Sequence, residues 1–231
     1  GLSIPRSSDY FHERQVAGNE VSNRLTMDVP HQSIIAKPTL VGMSYIHPNG
    51  GALMRDLQDV VTQGADSIVQ VPATRWTLDA PAAAYSAPVM AAARHGGFVA
   101  GIQNFDHVQF QILSLEASAM DPQQRLLLEG GHRARCFSVA ASKQGTYARK
   151  ENVGVFVGIE LQDFQAILPT VPVGQSVYAA TAAMLSVACG RLSYVFGFQG
   201  PCIASPTACS SALTALHVAS SALLLAECES A

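Results

Sequence analysis

The sequence predicts an α/β fold in which apolar strands alternate with amphipathic and buried helices. Three segments carry this prediction. Residues 152–159, NVGVFVGI, form a continuous apolar run of the length of a strand. Residues 119–129, AMDPQQRLLLE, contain the signals of a helix start. Residues 201–205, PCIAS, predict a short strand, which a bend at Pro206 separates from a long apolar helix.

The composition limits the classes of function. The chain has 231 residues, of which 48% are hydrophobic and 13% charged, so one or two domains with an apolar core are expected. A net charge of −3 with scattered Lys and Arg residues predicts no nucleic-acid partner. Small neutral or thioester ligands suit this composition better.

The cysteines indicate neither a disulfide framework nor a metal site. Their number is odd, and no CxxC pair or zinc-type spacing is present. The five are Cys136, Cys189, Cys202, Cys209 and Cys228. We therefore expect reduced thiols in an intracellular compartment, cytoplasmic or plastid, and no bound metal or cofactor.

Two long uncharged tracts, residues 165–190 and 199–226, have the length of membrane spans. The prolines within them, together with many Ser and Thr residues, argue against that interpretation. Helices buried in a large fold have the same composition, so we expect no membrane span.

The first elements follow a polar segment. Residues 1–36 are polar and mixed in charge, which predicts a linker or docking arm, and residues 37–231 form the packed part. Residues 34–51 predict a strand that closes on a Pro/Gly turn, and residues 52–63 predict an amphipathic helix stopped by Gly64. Residues 71–105 lose periodicity, which predicts a long irregular segment.

The central helix and strand have local signals. Asp121 can cap a helix that starts at Pro122, and Gln124 has the spacing of a capping box. The adjacent glycines 130 and 131 would each cost about 1 kcal/mol in a helix, so the helix is expected to end or fray at Gly130. The apolar run at residues 152–159 predicts a strand covered on both faces, in which two glycines, 154 and 158, let other groups approach the backbone.

Cys209 lies between the predicted last strand and an apolar helix at residues 210–226. A thiol at a helix N-terminus faces unpaired N–H groups and the positive end of the helix dipole, which both favour the thiolate. Strand, sharp turn, nucleophile and buried helix form a nucleophile elbow. From the pattern alone a second interpretation stays open, because a free cysteine is commonly a small buried hydrophobe.

Four motifs resemble the ketosynthase domain of modular polyketide synthases, in order and approximate spacing. They are DPQQRLLLE (residues 121–129), NVGVFVG (152–158), GRLSYVFGFQGP (190–201) and TACSSAL (207–213). VGMSYIHPNGG and VPATRWTLD are similar to the opening strand and an early loop of that domain. The resemblance implies a thiolase-like fold, layered α-β-α-β-α, of which residues 37–231 are the amino-terminal half.

The resemblance also implies a chemistry. Cys209 would be the nucleophile that accepts an acyl group from the phosphopantetheine thioester of an acyl carrier protein. The carbanion formed by decarboxylation of malonyl-carrier protein would then attack this acyl group and give a β-ketoacyl thioester. The family implies a homodimer whose interface lies along the sheet edge near the strand before Cys209. Two histidines and a lysine that assist the reaction in relatives would lie beyond Ala231.

The chain departs from the family pattern at three places. Pro206 stands where relatives usually carry an acidic residue, residues 181–183 read TAA in place of TGN, and residues 130–141 replace a continuing helix. Among the histidines, His217 lies about 80° round the helix from Cys209 and is expected in the core. The other six, His12, His31, His47, His95, His107 and His132, are expected at the surface.

Two other functions remain open at this stage. One is a ketosynthase-like module without catalysis, kept for dimerisation or carrier-protein docking, which Pro206 and the disturbed helix at residues 130–141 favour. The other is an unrelated cysteine acyltransferase or hydrolase, because nucleophile elbows occur on several folds.

Overall fold

The structure is a computed structural model that describes residues 37–48, 54–76, 86–141 and 151–231. The predicted linker or docking arm at residues 1–36 lies outside the described residues. No strand is assigned over residues 37–47, so the predicted opening strand is wrong for this part. A strand requires a partner, and within the described ranges no neighbouring strand pairs with this segment.

A helix and a small sheet follow. Helix α1 spans Met54–Gln63 and ends at Gly64, whose φ of +60° confirms the predicted stop. Strand β1 (Ile68–Gln70), helix α2 (Ala87–Ala93) and strand β2 (His95–Gly97) come next, and the two strands pair antiparallel. The prediction of an irregular segment over residues 71–105 is therefore wrong in part. The pairing with β1, which lies outside that segment, stabilises β2 although its own sequence, HGG, has low strand propensity.

Helix α3 (Ser114–Ala119) leads into helix α4 (Pro122–Ala141). Asp121 caps α4 as predicted, because its Oδ1 accepts a hydrogen bond of 2.7 Å from the Gln123 N–H. The predicted capping box does not form. The buried Gln124 side chain instead donates to the Thr181 carbonyl at 3.2 Å and accepts from Arg191 Nε at 3.0 Å.

The predictions that α4 ends or frays at Gly130 and that residues 130–141 replace a continuing helix are both wrong, since α4 spans 20 residues from Pro122 to Ala141. The reason is its packing against helix α7 (Leu185–Phe196). A Cβ at Gly131 would lie 2.9 Å from Leu192 Cδ2, so glycine lets the two helices approach closely. Tertiary packing of this kind contributes more to helix stability than intrinsic propensity does.

The second sheet consists of the two strands that the sequence predicts here, β3 (Val155–Gly158) and β4 (Cys202–Ser205), which pair in parallel. Gly158 lies opposite Ser205 in the register. The chain between them forms α5 (Asp163–Ile167), two 3₁₀ turns (Leu168–Thr170 and Pro172–Gln175), α6 (Ala179–Ala182) and α7. A third 3₁₀ turn (Ala208–Ser210) and helix α8 (Ser211–Leu224) follow β4.

Strand β3 has helices on both faces, as predicted. Val155 and Val157 are buried in a core that includes Leu128 of α4 and Leu192 of α7. Side chains alternate along a strand, so Gly158 faces the other way and lies against α8. The sheet therefore lies between two helical layers, with α4 and α7 on one face and α8 on the other.

Helix α8 is less buried than its composition predicts. Within the described ranges it buries Ser211, Ala215 and Ala222, whereas Leu213 is 72% exposed. The prediction that His217 packs in the core is wrong here, since this residue is exposed. An apolar composition indicates that a face can be covered, but it does not say by which element. No helix of the described segments combines the length and the apolar character that crossing a membrane requires.

Candidate active site

Cys209 lies on the sharp bend between β4 and α8. Strand β4 ends at the buried Ser205, the exposed Pro206 follows, and the thiol is carried by the 3₁₀ turn Ala208–Ser210. Helix α8 begins two residues after Cys209. The predicted order of strand, turn, cysteine and helix is therefore confirmed.

Ala208, the residue before the cysteine, has left-handed backbone with a φ of +52°. This conformation is unfavourable for a residue with a Cβ, so contacts must hold it. The Ala208 N–H donates to Glu160 Oε2 at 3.0 Å. The Ala208 carbonyl accepts from the Ser211 hydroxyl at 2.8 Å and from the Ser211 N–H. Both polar groups of its backbone are thus engaged.

Ser211 is the internal support of the turn. Its side chain is buried, and its Oγ also accepts a hydrogen bond of 2.9 Å from the Thr207 N–H. The Thr207 carbonyl in turn accepts from the N–H of Ser210 at 3.2 Å and from its hydroxyl at 2.7 Å. These bonds connect the residues on both sides of Cys209 within one turn.

The backbone N–H of Cys209 makes no hydrogen bond to the part of the chain that the structure describes. An N–H donor next to a nucleophilic sulfur is the group that stabilises the oxyanion of a thioester under attack. The thiol itself is exposed. The turn therefore presents an exposed thiol and an N–H donor unengaged within the described chain on the same residue.

The other cysteines have different environments. Cys189 and Cys228 are buried, whereas Cys136 and Cys202 are exposed. Burial, followed by the hydrogen bond to the Cys202 thiol, raises the pKa of Cys189 to about 11. A thiol with so high a pKa stays protonated at neutral pH and is a poor nucleophile.

The described histidines do not assemble around Cys209 through any hydrogen bond. His47, His107 and His132 are half-buried, so their predicted surface position is only partly correct. His107 Nδ1 donates to the Ile112 carbonyl at 2.7 Å, and His132 Nε2 lies 2.9 Å from Gln109 Nε2. His95 is exposed as expected, and the remaining two, His12 and His31, lie outside the described residues.

Sequence reasoning missed Glu160 and Ser211. Glu160 follows the end of β3 by two residues, just as Thr207 follows the end of β4. Carboxyl ends of neighbouring parallel strands meet at one edge of a sheet, so an acidic residue at this spacing was a usable signal. Ser211 carried a weaker signal, because TACSSAL contains two serines and only packing shows which is buried.

The chain is similar to known proteins over most of its length. Residues 39–231 match the family described as Beta-ketoacyl synthase, N-terminal domain. Polyketide synthase GfsB of Streptomyces halstedii is 36% identical over 246 residues, which cover 99% of this chain and 4% of that protein. The pikromycin polyketide synthase component PikAII of Streptomyces venezuelae is 40% identical over 197 residues, or 83% of this chain and 5% of that protein.

Solved structures of ketosynthase domains are also similar to this chain. The ketosynthase from module 6 of the bacillaene synthase of Bacillus subtilis 168 superposes with a TM-score of 0.64 and 27% identity, over 82% of this chain and 30% of that one. The oxazolomycin ketosynthase domain of Streptomyces albus gives a TM-score of 0.62, over 82% of this chain and 33% of that one. The chain thus spans about a third of these domains. It has their thiolase-like α/β fold and belongs to the beta-ketoacyl synthase family, in the part that corresponds to the N-terminal domain.

Proposed function

We propose that this chain is the part of a polyketide-synthase ketosynthase that carries the nucleophile, Cys209. The supporting observation is the position of Cys209, which is exposed on the turn between β4 and α8 with its N–H unengaged within the described chain. Polyketide rather than fatty acid synthesis is favoured, because the relatives named above are polyketide synthases. Residues 37–231 are then the amino-terminal part of that domain, and residues 1–36 a linker or docking arm.

The first step is acyl transfer. The Cys209 thiolate attacks the carbonyl of an acyl thioester on the phosphopantetheine arm of an acyl carrier protein, and the Cys209 N–H stabilises the oxyanion. The C–S bond to phosphopantetheine then breaks, and its thiolate takes up a proton. An acyl group on Cys209 and a free carrier thiol result.

The second step is condensation. Malonyl-carrier protein loses carbon dioxide, and the resulting carbanion attacks the acyl carbonyl on Cys209. The C–S bond to Cys209 breaks, which leaves a β-ketoacyl thioester on the carrier protein and a free thiolate on the enzyme. The only cofactor-derived group in this scheme is the phosphopantetheine arm of the substrate. We place the reaction in an intracellular compartment, cytoplasmic or plastid, because the thiol must stay reduced.

A homodimer is part of this proposal. Strand β4 pairs with β3 on one edge, and its other edge has no partner in the described sheet. An open strand edge is a site where a second chain can pair. A two-fold axis at that edge would pair the two copies of β4 antiparallel, with the two Cys209 turns at opposite ends of the strand pair.

A module without catalysis is the second candidate, and Pro206 favours it. The family usually carries an acidic side chain at this position, and proline can neither supply one nor donate a backbone hydrogen bond. The third possibility, an unrelated cysteine acyltransferase or hydrolase, is excluded by the family match.

The test is acyl transfer in the complete protein that contains this chain. The protein is incubated with an acyl-carrier protein and digested, and its peptides are examined by mass spectrometry. We expect the acyl mass on the peptide of Cys209, and its loss in Cys209→Ala. Cys202→Ala is the matched control, because it removes an exposed thiol seven positions earlier and should leave the label in place. Wild-type protein without an acyl group on Cys209 would support the non-catalytic module.

A further inference from the structure

We propose that Glu160 is a positioning residue for Cys209, which acts by holding Ala208 in its left-handed conformation. The inference rests on the proposed role of Cys209 as the nucleophile. Glu160 lies outside the four family motifs, two residues after the end of β3.

The contact between Glu160 and Ala208 is direct. Glu160 Oε2 accepts a hydrogen bond of 3.0 Å from the Ala208 N–H. Ala208 has a φ of +52°, a conformation that glycine adopts without steric cost and that other residues keep only when neighbours stabilise it. The Ser211 hydroxyl binds the carbonyl group of Ala208, and the Glu160 carboxylate binds its N–H group.

The backbone on both sides of Glu160 is fixed, although its side chain is exposed. Ile159 is buried in the core beside β3. The Leu161 carbonyl accepts a hydrogen bond of 2.8 Å from Gln123 Nε2 at the start of α4. The backbone N–H of Gln123 in turn donates a hydrogen bond to Asp121 Oδ1. These anchors direct the Glu160 carboxylate from the end of β3 toward the turn after β4.

The sequence around the turn gives this contact its importance. Pro206 offers no carboxylate to the turn, and Glu160 brings one from the adjacent strand end. A carboxylate that binds a backbone N–H forms a charge-assisted hydrogen bond, which is stronger than a bond between neutral groups. Glu160 therefore supplies the carboxylate that is missing at position 206.

The test uses four variants of the complete protein: Glu160→Ala, Glu160→Gln, Ala208→Gly and the double variant Glu160→Ala with Ala208→Gly. The rate of Cys209 acylation by a small acyl thioester, an N-acetylcysteamine ester, is measured by mass spectrometry. We expect Glu160→Ala to be slower by about tenfold, as small misplacements of reacting groups are costly. Glu160→Gln should stay within about threefold of wild type, because its amide oxygen can accept the same bond.

The double variant separates positioning from a general effect on folding. Glycine at position 208 adopts left-handed backbone on its own, so Ala208→Gly should recover most of the rate lost in Glu160→Ala. A wild-type rate in Glu160→Ala, a Glu160→Gln rate as low as that of Glu160→Ala, or no recovery in the double variant would each overturn the inference.

A second measurement keeps the inference distinct from the proposed function. The same four variants are compared by the rate at which iodoacetamide alkylates Cys209, which requires no acyl transfer. If wild-type Cys209 is never acylated, the proposed function fails, whereas the expected order of alkylation rates would still support positioning by Glu160. An unchanged alkylation rate in Glu160→Ala would overturn the inference alone.

Discussion

Gly158 of β3 lies directly against the backbone of Ser211, the first residue of α8. A Cβ at Gly158 would lie 2.5 Å from the Ser211 carbonyl carbon and 2.6 Å from the Ala212 nitrogen. Real Cβ atoms are not found at such distances from backbone atoms. The absence of a side chain at Gly158 therefore sets how closely the helix after Cys209 approaches the sheet.

The variant Gly158→Ala should displace the start of α8. We expect the free energy of unfolding to fall by about 1–3 kcal/mol, the usual cost of overpacking, and Cys209 alkylation to slow. Denaturant unfolding and alkylation measure the two effects. Gly190→Ala in α7 is the matched control, because a Cβ there meets nothing within 4 Å. Equal stability of Gly158→Ala and wild type would contradict this close contact.

The two glycines within α4 should differ in their response to alanine. A Cβ at Gly130 meets nothing within 4 Å, so Gly130→Ala should stabilise the protein by up to about 1 kcal/mol through helix propensity. A Cβ at Gly131 would lie 2.9 Å from Leu192 Cδ2, so Gly131→Ala should lose that gain. Thermal unfolding of both variants checks the order. A larger gain for Gly131→Ala would show that α4 and α7 are not packed this closely.

Elements with local signals were predictable from sequence. The cap at Asp121, the apolar strand β3 and the stop of β4 before Pro206 depend on residues adjacent in the chain. The order of strand, turn, Cys209 and helix followed from the same local rules. The family motifs then indicated the fold, which the structural comparisons bear out.

Features that depend on contacts distant in sequence were not predictable. Gly131 remains helical because α7 packs on it, and Gln124 bonds to Arg191 instead of closing a capping box. Glu160 reaches a turn 48 positions away. The exposure of His217 depends on which elements cover α8, and its apolar composition does not contain that information.

Cys189 should make stability depend on pH. Its pKa is raised to about 11, mainly by burial, from an ordinary value near 9. The unfolded chain therefore releases this proton at lower pH than the folded chain, so stability is fully present below pH 9 and falls as the pH rises toward 11. We expect the difference in unfolding free energy between wild type and Cys189→Ala to decrease by about 2 kcal/mol over this range. A constant difference in denaturant titrations from pH 8 to 11 would show that the thiol is not buried.

The variant Pro206→Asp should compensate for loss of Glu160. An aspartate side chain commonly accepts a hydrogen bond from the N–H two residues later, which at this position is the N–H of Ala208. We expect Pro206→Asp to change the acylation rate of wild type by no more than about twofold and to restore most of the rate lost in Glu160→Ala. Pro206→Ser, with a weaker acceptor, should restore less. A Pro206→Asp variant that accelerates wild type strongly would mean that Glu160 does not hold the turn adequately.

The elbow should make Cys209 the most reactive of the five cysteines. The most direct measurement is the alkylation rate of each of the five cysteines by iodoacetamide at neutral pH, followed by peptide mass spectrometry. Cys136 and Cys202 are also exposed, so exposure alone cannot favour Cys209. We expect Cys209 to react first, about tenfold faster than either of these two, because its turn leads directly into the N-terminus of α8. Faster alkylation of Cys136 or Cys202 would show that the elbow does not activate Cys209.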